Sequence, residues 1–113
     1  MDSVTQYRDI IKSLLFEYQT LAEQSSSQGI ETQLALDEQR DQYLWLRTGW
    51  DTVRRVRGVS IYIRIKDGKV WVEEDWTDLE VVDALIKAGI PEADIVLGFH
   101  PPEARQHTEF AVA

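Results

Sequence analysis

His100 and His107 are the only histidines in the chain, seven residues apart with Glu103 between them. On one helical face that spacing would offer two imidazoles and a carboxylate to a metal ion or to acid–base chemistry. Pro101 and Pro102 oppose the arrangement, because neither can lie inside a helix that also contains His100. The spacing matches no zinc pattern, so a structural or partner-contacting role outweighs a catalytic one. The acidic series Glu73, Glu74, Asp75, Asp78, Glu80 and Asp83 holds enough carboxylates for a divalent cation. Strand alternation would separate Glu73 from Glu74, however, and Asp78 and Glu80 fall in the expected first turn of a helix, where negative charge is favoured without any metal. The chain has no GxSxG, no phosphate-cradling glycine loop and no nucleophile spaced with a base. The expectation is a protein that is not an enzyme, with no catalytic residue, no cofactor and no metal.

Binding chemistry has better candidates. Arg54, Arg55, Arg57, Arg64, Lys66 and Lys69 are opposed only by Asp67 within their stretch, a basic island that could meet phosphates. The bland alternative is a set of charged strand ends that discourage edge-to-edge association. The formal net charge of −8 argues against whole-molecule attraction to nucleic acid. Trp45, Trp50, Trp71 and Trp76 could stack on bases, although tryptophans in a small domain more often form core and interface contacts. The segment Asp94 to Ala113 is apolar, stiffened by Pro101 and Pro102, and closes on Phe110-Ala111-Val112-Ala113. Such a segment is expected to pack against the domain or against a partner. The expected partner contacts are therefore Trp45, Trp50, Phe99, His100, Pro101, Pro102, Phe110 and Val112. The alternative nucleic-acid contacts are Arg54, Arg55, Arg57 and Arg64.

These residues need a scaffold, and 113 residues suit one domain spanning the whole chain, since halves would bury too little. Val4, Tyr7, Ile11, Leu14, Tyr18 and Leu21 recur at spacings of three and four, with Ile10, Leu15 and Ala22 widening the stripe, which predicts a long amphipathic helix capped by Asp2 or Ser3. Gln24-Ser25-Ser26-Ser27-Gln28-Gly29 reads as a connector. The period then changes to two: a strand from Ile30, a second over Tyr43 to Thr48, and a third over Val56 to Ile65 with Val59, Ile61, Ile63 and Ile65 facing inward. Asp67-Gly68 predicts a type I′ hairpin that sets Ile65 against Val70, Ile63 against Val72 and Arg64 against Trp71. Thr77 and Glu80 predict a capping box for a second helix that ends at Gly89, before Pro91 and an extended Ile95-Val96-Leu97. The fold expected is α+β: a long N-terminal helix, a four-stranded antiparallel meander, a second helix and a packed C-terminal segment. The chain has no cysteine and no apolar run near the roughly 20 residues that span a bilayer. Its first residues lack the layout of a secretory signal. A cytoplasmic protein without membrane association is expected, and a homo-oligomer is plausible for so small a domain.

The chain also resembles the XisI family, the fdxN element excision controlling factors of cyanobacteria. The resemblance rests on Tyr7-Arg8-Asp9-Ile10-Ile11, Arg40-Asp41-Gln42-Tyr43-Leu44, Gly49-Trp50-Asp51, Arg54-Arg55-Val56 and Asp67-Gly68-Lys69-Val70-Trp71-Val72. It continues from Ala88-Gly89-Ile90-Pro91 through Asp94-Ile95-Val96-Leu97-Gly98-Phe99-His100-Pro101-Pro102 to Phe110-Ala111-Val112-Ala113. It implies a non-catalytic accessory factor in the DNA rearrangement of heterocyst-forming cells, working with an XisH-like protein partner while a recombinase performs the excision. Family members often carry a histidine at the position of Arg57 and an acidic residue near Arg64, so those positions suit a surface role and transfer no catalytic residue.

Overall fold

The apolar stripe at three-and-four spacing forms helix α1, Ser3–Gln24, and Asp2 caps it by accepting from the Thr5 amide at 2.8 Å. In the computed structural model, residues 2–25 and 29–113 are described; Ser26, Ser27 and Gln28 of the expected connector lie outside them. The buried residues of α1 are Tyr7, Ile11, Leu15 and Tyr18. Leu15 therefore takes the central place expected of Leu14, which is half-buried, while Leu21 is exposed. None of the described helices is long and apolar enough to cross a membrane.

The period-two segments form strands β1 (Ile30–Asp37), β2 (Gln42–Trp50), β3 (Arg55–Lys66) and β4 (Lys69–Asp75), each antiparallel to the next. At the tight turn Asp67 and Gly68 have φ of 55° and 78°, as a type I′ hairpin requires, and the expected pairs Ile65–Val70, Arg64–Trp71 and Ile63–Val72 are present. The sheet nevertheless has five strands, because Ile95–Leu97 forms β5, parallel to β4 through Val70–Ile95, Trp71–Val96 and Val72–Leu97. Helix α2, Val81–Lys87, is the crossover that returns the chain to run beside β4 in the same direction. The four-stranded antiparallel description is thus corrected to a five-stranded mixed sheet in the order β1-β2-β3-β4-β5.

Two local expectations also change. The register slips between Trp45–Ile61 and Leu46–Val59, so Ser60 is an extra residue in β3. This bulge turns Val59 to the face of Leu46, away from Ile61, Ile63 and Ile65, which are buried. Nor does Thr77 cap α2: its hydroxyl bonds Asp75 at 2.6 Å and accepts from Leu79 N, while Glu80 enters the helix at φ 54° without a side-chain cap. The other end of α2 follows its sequence. Gly89 adopts φ 118°, its N–H donates to the Ile86 carbonyl, and Ile90 N–H donates back to the Leu85 carbonyl, which closes the helix in a Schellman arrangement.

The core lies between α1, α2 and one face of the sheet. It contains Tyr7, Ile11, Leu15 and Tyr18 from α1, Tyr43, Trp45, Ile61, Ile63, Val70 and Val72 from the sheet, and Val81 and Leu85 from α2. Polar ties fix the layers at their edge. Arg8 bonds both oxygens of Asp41 at 2.8 and 3.1 Å, Asp41 also accepts from the Tyr43 hydroxyl at 2.6 Å, and the Tyr7 hydroxyl donates to Asp94. That bond to Asp94, with burial, pushes the Tyr7 phenol up to about 12.

Candidate functional site

The segment after β5 wraps the sheet edge. Pro101 and Pro102 open a single turn of helix, α3, Pro102–Arg105, which suits proline's fixed φ and missing N–H. Arg105 Nε then donates to the carbonyls of His100 at 3.1 Å and Leu97 at 3.3 Å, and its guanidinium lies 5.3 Å from the centre of the Trp71 ring. Beyond it, Ala111 N donates to Ile95 O at 2.9 Å and Ala111 bridges Val96, extending the sheet by one parallel contact. Phe110 packs against the core, whereas Val112 is exposed. The segment is therefore docked on its own domain as far as Ala111. The Glu109 carboxyl beside Glu92 holds the Glu92 carboxyl above its usual value.

The histidines are not brought into one site with an acid. His100 is half-buried and tilted against Phe99, with ring centres 4.7 Å apart, while Glu103 and His107 are exposed. Among the described residues, no three of His, Cys, Asp or Glu gather where they could share a metal ion; this covers His100, Glu103 and His107 as well as the series Glu73 to Asp83.

The basic island is split. Arg54, Arg55 and Arg57 are exposed at the turn between β2 and β3, where Arg55 lies over Trp50 at 5.8 Å. Arg64 sits seven residues further along β3, roughly 20 Å away at strand rise. It bonds Glu73 Oε2 at 2.6 Å and lies 5.4 Å from the Trp71 ring centre, as the hairpin register requires. Lys66 approaches the same ring at 5.3 Å, so Trp71 is enclosed by three cationic side chains and is buried.

Among the expected contact residues, Trp45 is corrected to the core. It is 8% exposed, stacks near Tyr18 at 5.9 Å and donates Nε1–H to Gln19 Oε1 at 2.8 Å. Its position opposite α1 follows from strand parity with Tyr43, which is also buried. Besides Phe16 and Leu21 on α1, Leu79 and Val112, the exposed large apolar side chains fall into two groups. At the β2–β3 turn are Trp50, 58% exposed, and Val53, 81% exposed. Near the far end of β4 are Trp76, 72% exposed, and Phe99, 48% exposed, with Glu73, Glu74, Asp75 and Val82 around a groove of about 450 Å³. The sequence marks Trp76 only as a general core or interface residue. The available signal was the setting Glu74-Asp75-Trp76-Thr77-Asp78, since an aromatic hemmed in by carboxylates cannot readily enter a core.

Geometry of this kind is shared with solved structures. A family model described as "XisI protein" matches residues 1–112. The chain belongs to the XisI family. It is similar to a crystal structure of the fdxN element excision controlling factor XisI from Anabaena variabilis ATCC 29413, with 46% identity, a TM-score of 0.84, and coverage of 99% of this chain and 100% of that one. It is also similar to an XisI-like protein of the same organism, at 38% identity and a TM-score of 0.89, with the same coverage. No curated protein matches the chain. The fold described above is thus shared with these solved structures over 99% of this chain.

Proposed function

We propose that this chain is a non-catalytic controlling factor of the fdxN excision type, and that it acts by binding another protein. The observation that carries the proposal is full-length kinship, at 46% identity, to a protein named as an fdxN element excision controlling factor. Two groups of bare aromatic and aliphatic side chains support binding as the activity, since large apolar groups left in water on a small domain are characteristic of contact surfaces. The expected partner is the XisH-like protein that the family resemblance implies, and excision itself falls to a recombinase.

A second reading, direct contact with DNA, is favoured by one observation: Arg54, Arg55 and Arg57 are all exposed near the β2–β3 turn, Arg55 lies over Trp50, and none is ion-paired with a described residue. Salt separates the two. Three phosphate contacts would make log affinity fall with a slope of about −3 in log salt, whereas an apolar protein interface changes little. The test is co-expression of the tagged chain with an XisH-like product, followed by washing at low and high salt. A complex that persists at high salt is expected. Absence of any complex, together with salt-sensitive binding to duplex DNA that is lost in Arg54→Ala, Arg55→Ala, would overturn protein binding in favour of the second reading.

A further inference from the structure

We infer that the groove lined by Glu73, Glu74, Asp75, Trp76, Val82 and Phe99 is the docking site for a partner segment in which an apolar side chain is flanked by lysine or arginine. The inference deepens the protein-binding reading and rests on it. Its volume of about 450 Å³ accommodates one large side chain. Its walls are an indole and a phenyl ring left 72% and 48% exposed, with Val82 between α2 and the sheet. Trp76 is held in place, because its Nε1–H donates to Glu74 Oε1 at 3.0 Å while the ring remains bare. A pre-positioned aromatic loses little freedom on binding, which favours it as an anchor.

Charge decides the occupant. Glu73 is neutralised by Arg64, but the hydrogen bonds of Glu74 and Asp75 come from uncharged donors, Trp76 and Thr77. Neither is ion-paired with a described residue, and no basic side chain lines the groove. Asp78 and Asp83, both exposed on the neighbouring turn and on α2, add the same sign. An apolar anchor flanked by acidic residues would be repelled, one flanked by lysine or arginine attracted, and nucleic acid excluded.

The probe is a set of three nonapeptides titrated into the isotope-labelled full chain, with the Trp76 indole N–H and the Phe99 amide as readouts. One alternates leucine with lysine, the second replaces each lysine by glutamate, and the third replaces each leucine by serine. Saturable shifts centred on these two residues are expected for the first peptide alone, weakened about tenfold or more in Trp76→Ala and in Phe99→Ala. Both variants alter exposed side chains and should keep the wild-type melting temperature. Equal shifts with all three peptides, no saturation at millimolar peptide, or shifts that appear on raising the protein concentration without peptide would overturn the proposal, the last pointing to a second copy as occupant. Capture of a protein partner through the Trp50 turn despite such a failure would remove the groove while leaving the protein-binding reading intact.

Discussion

Asp41 ties three elements together through one side chain and one peptide. Its carboxylate accepts from Arg8 of α1 and from the Tyr43 hydroxyl of β2, and its backbone carbonyl accepts from Ile65 N of β3 at 3.0 Å. It does so at φ 52°, a conformation that aspartate and asparagine tolerate better than other side chains with a Cβ. The Arg8 guanidinium holds the Asp41 carboxyl below its ordinary value of 3.8, with the Tyr43 hydroxyl adding to the effect. A depressed folded value means that the contribution is complete above 3.8 and is lost as pH falls through the lower folded value. Asp41→Asn keeps the shape and the backbone conformation but removes the charge, so it should cost about 1 kcal/mol at neutral pH. The difference from wild type should shrink once the pH drops below about 4, which urea melts at pH 7 and pH 3 would measure. The residues that carry the family resemblance are largely of this structural kind: Tyr7 with Asp94, Arg8 with Asp41, Asp67-Gly68 at a hairpin, Gly89 at a helix end. The bare side chains Trp76 and Val53 lie outside them.

At the scale of elements, what could be read in advance depended on how local the determining interaction is. The Asp67-Gly68 hairpin and the Gly89 helix stop are specified by neighbouring residues, and both formed with the expected register and bonds. Strand β5 depends on pairing Ile95 with Val70, twenty-five residues away, and three residues carry too little periodicity to reveal it. The Ser60 bulge is equally silent, because it arises from a mismatch between two strands and has no motif of its own. At Thr77 the hydroxyl accepts from Leu79 N and Glu80 turns left-handed, so α2 starts only at Val81, beyond the reach of the capping pattern. Gly49 shows the opposite case, a motif residue whose reason emerges only in three dimensions. It sits at φ 150° where β2 meets the start of β1, and a Cβ there would lie 1.9 Å from the Gly29 carbonyl oxygen. Gly49→Ala should therefore cost about 3 kcal/mol or more, since backbone and not a flexible side chain would have to move. A guanidinium denaturation midpoint close to wild type would disprove that account.

Considered whole, the molecule separates scaffold from surface. Helices α1 and α2 cover one face of the five-stranded sheet, and the C-terminal segment is bound along β5 with Arg105 over Trp71. The expected packing of that segment is present through Ala111, so Phe110 is committed to the domain while Val112 remains free for contact. Of the proposed surface, Trp50 and Phe99 are expected contacts that are exposed; Trp45 is buried instead, because period-two parity does not say which face a helix will cover. The groove around Trp76 was hidden because Phe99 and Val82 reach it only once β5 and α2 are folded against β4. The central claim, that the chain works as a protein-binding factor through bare side chains outside its scaffold, is tested most directly by amide exchange on the chain alone and in complex with a co-purified XisH-like product. Slowed exchange confined to the Trp76–Phe99 region, to the Trp50–Val53 turn or to both, with the core strands unchanged, is the predicted result. Identical profiles with and without that product, or protection spread over α1 and the core alone, would contradict it.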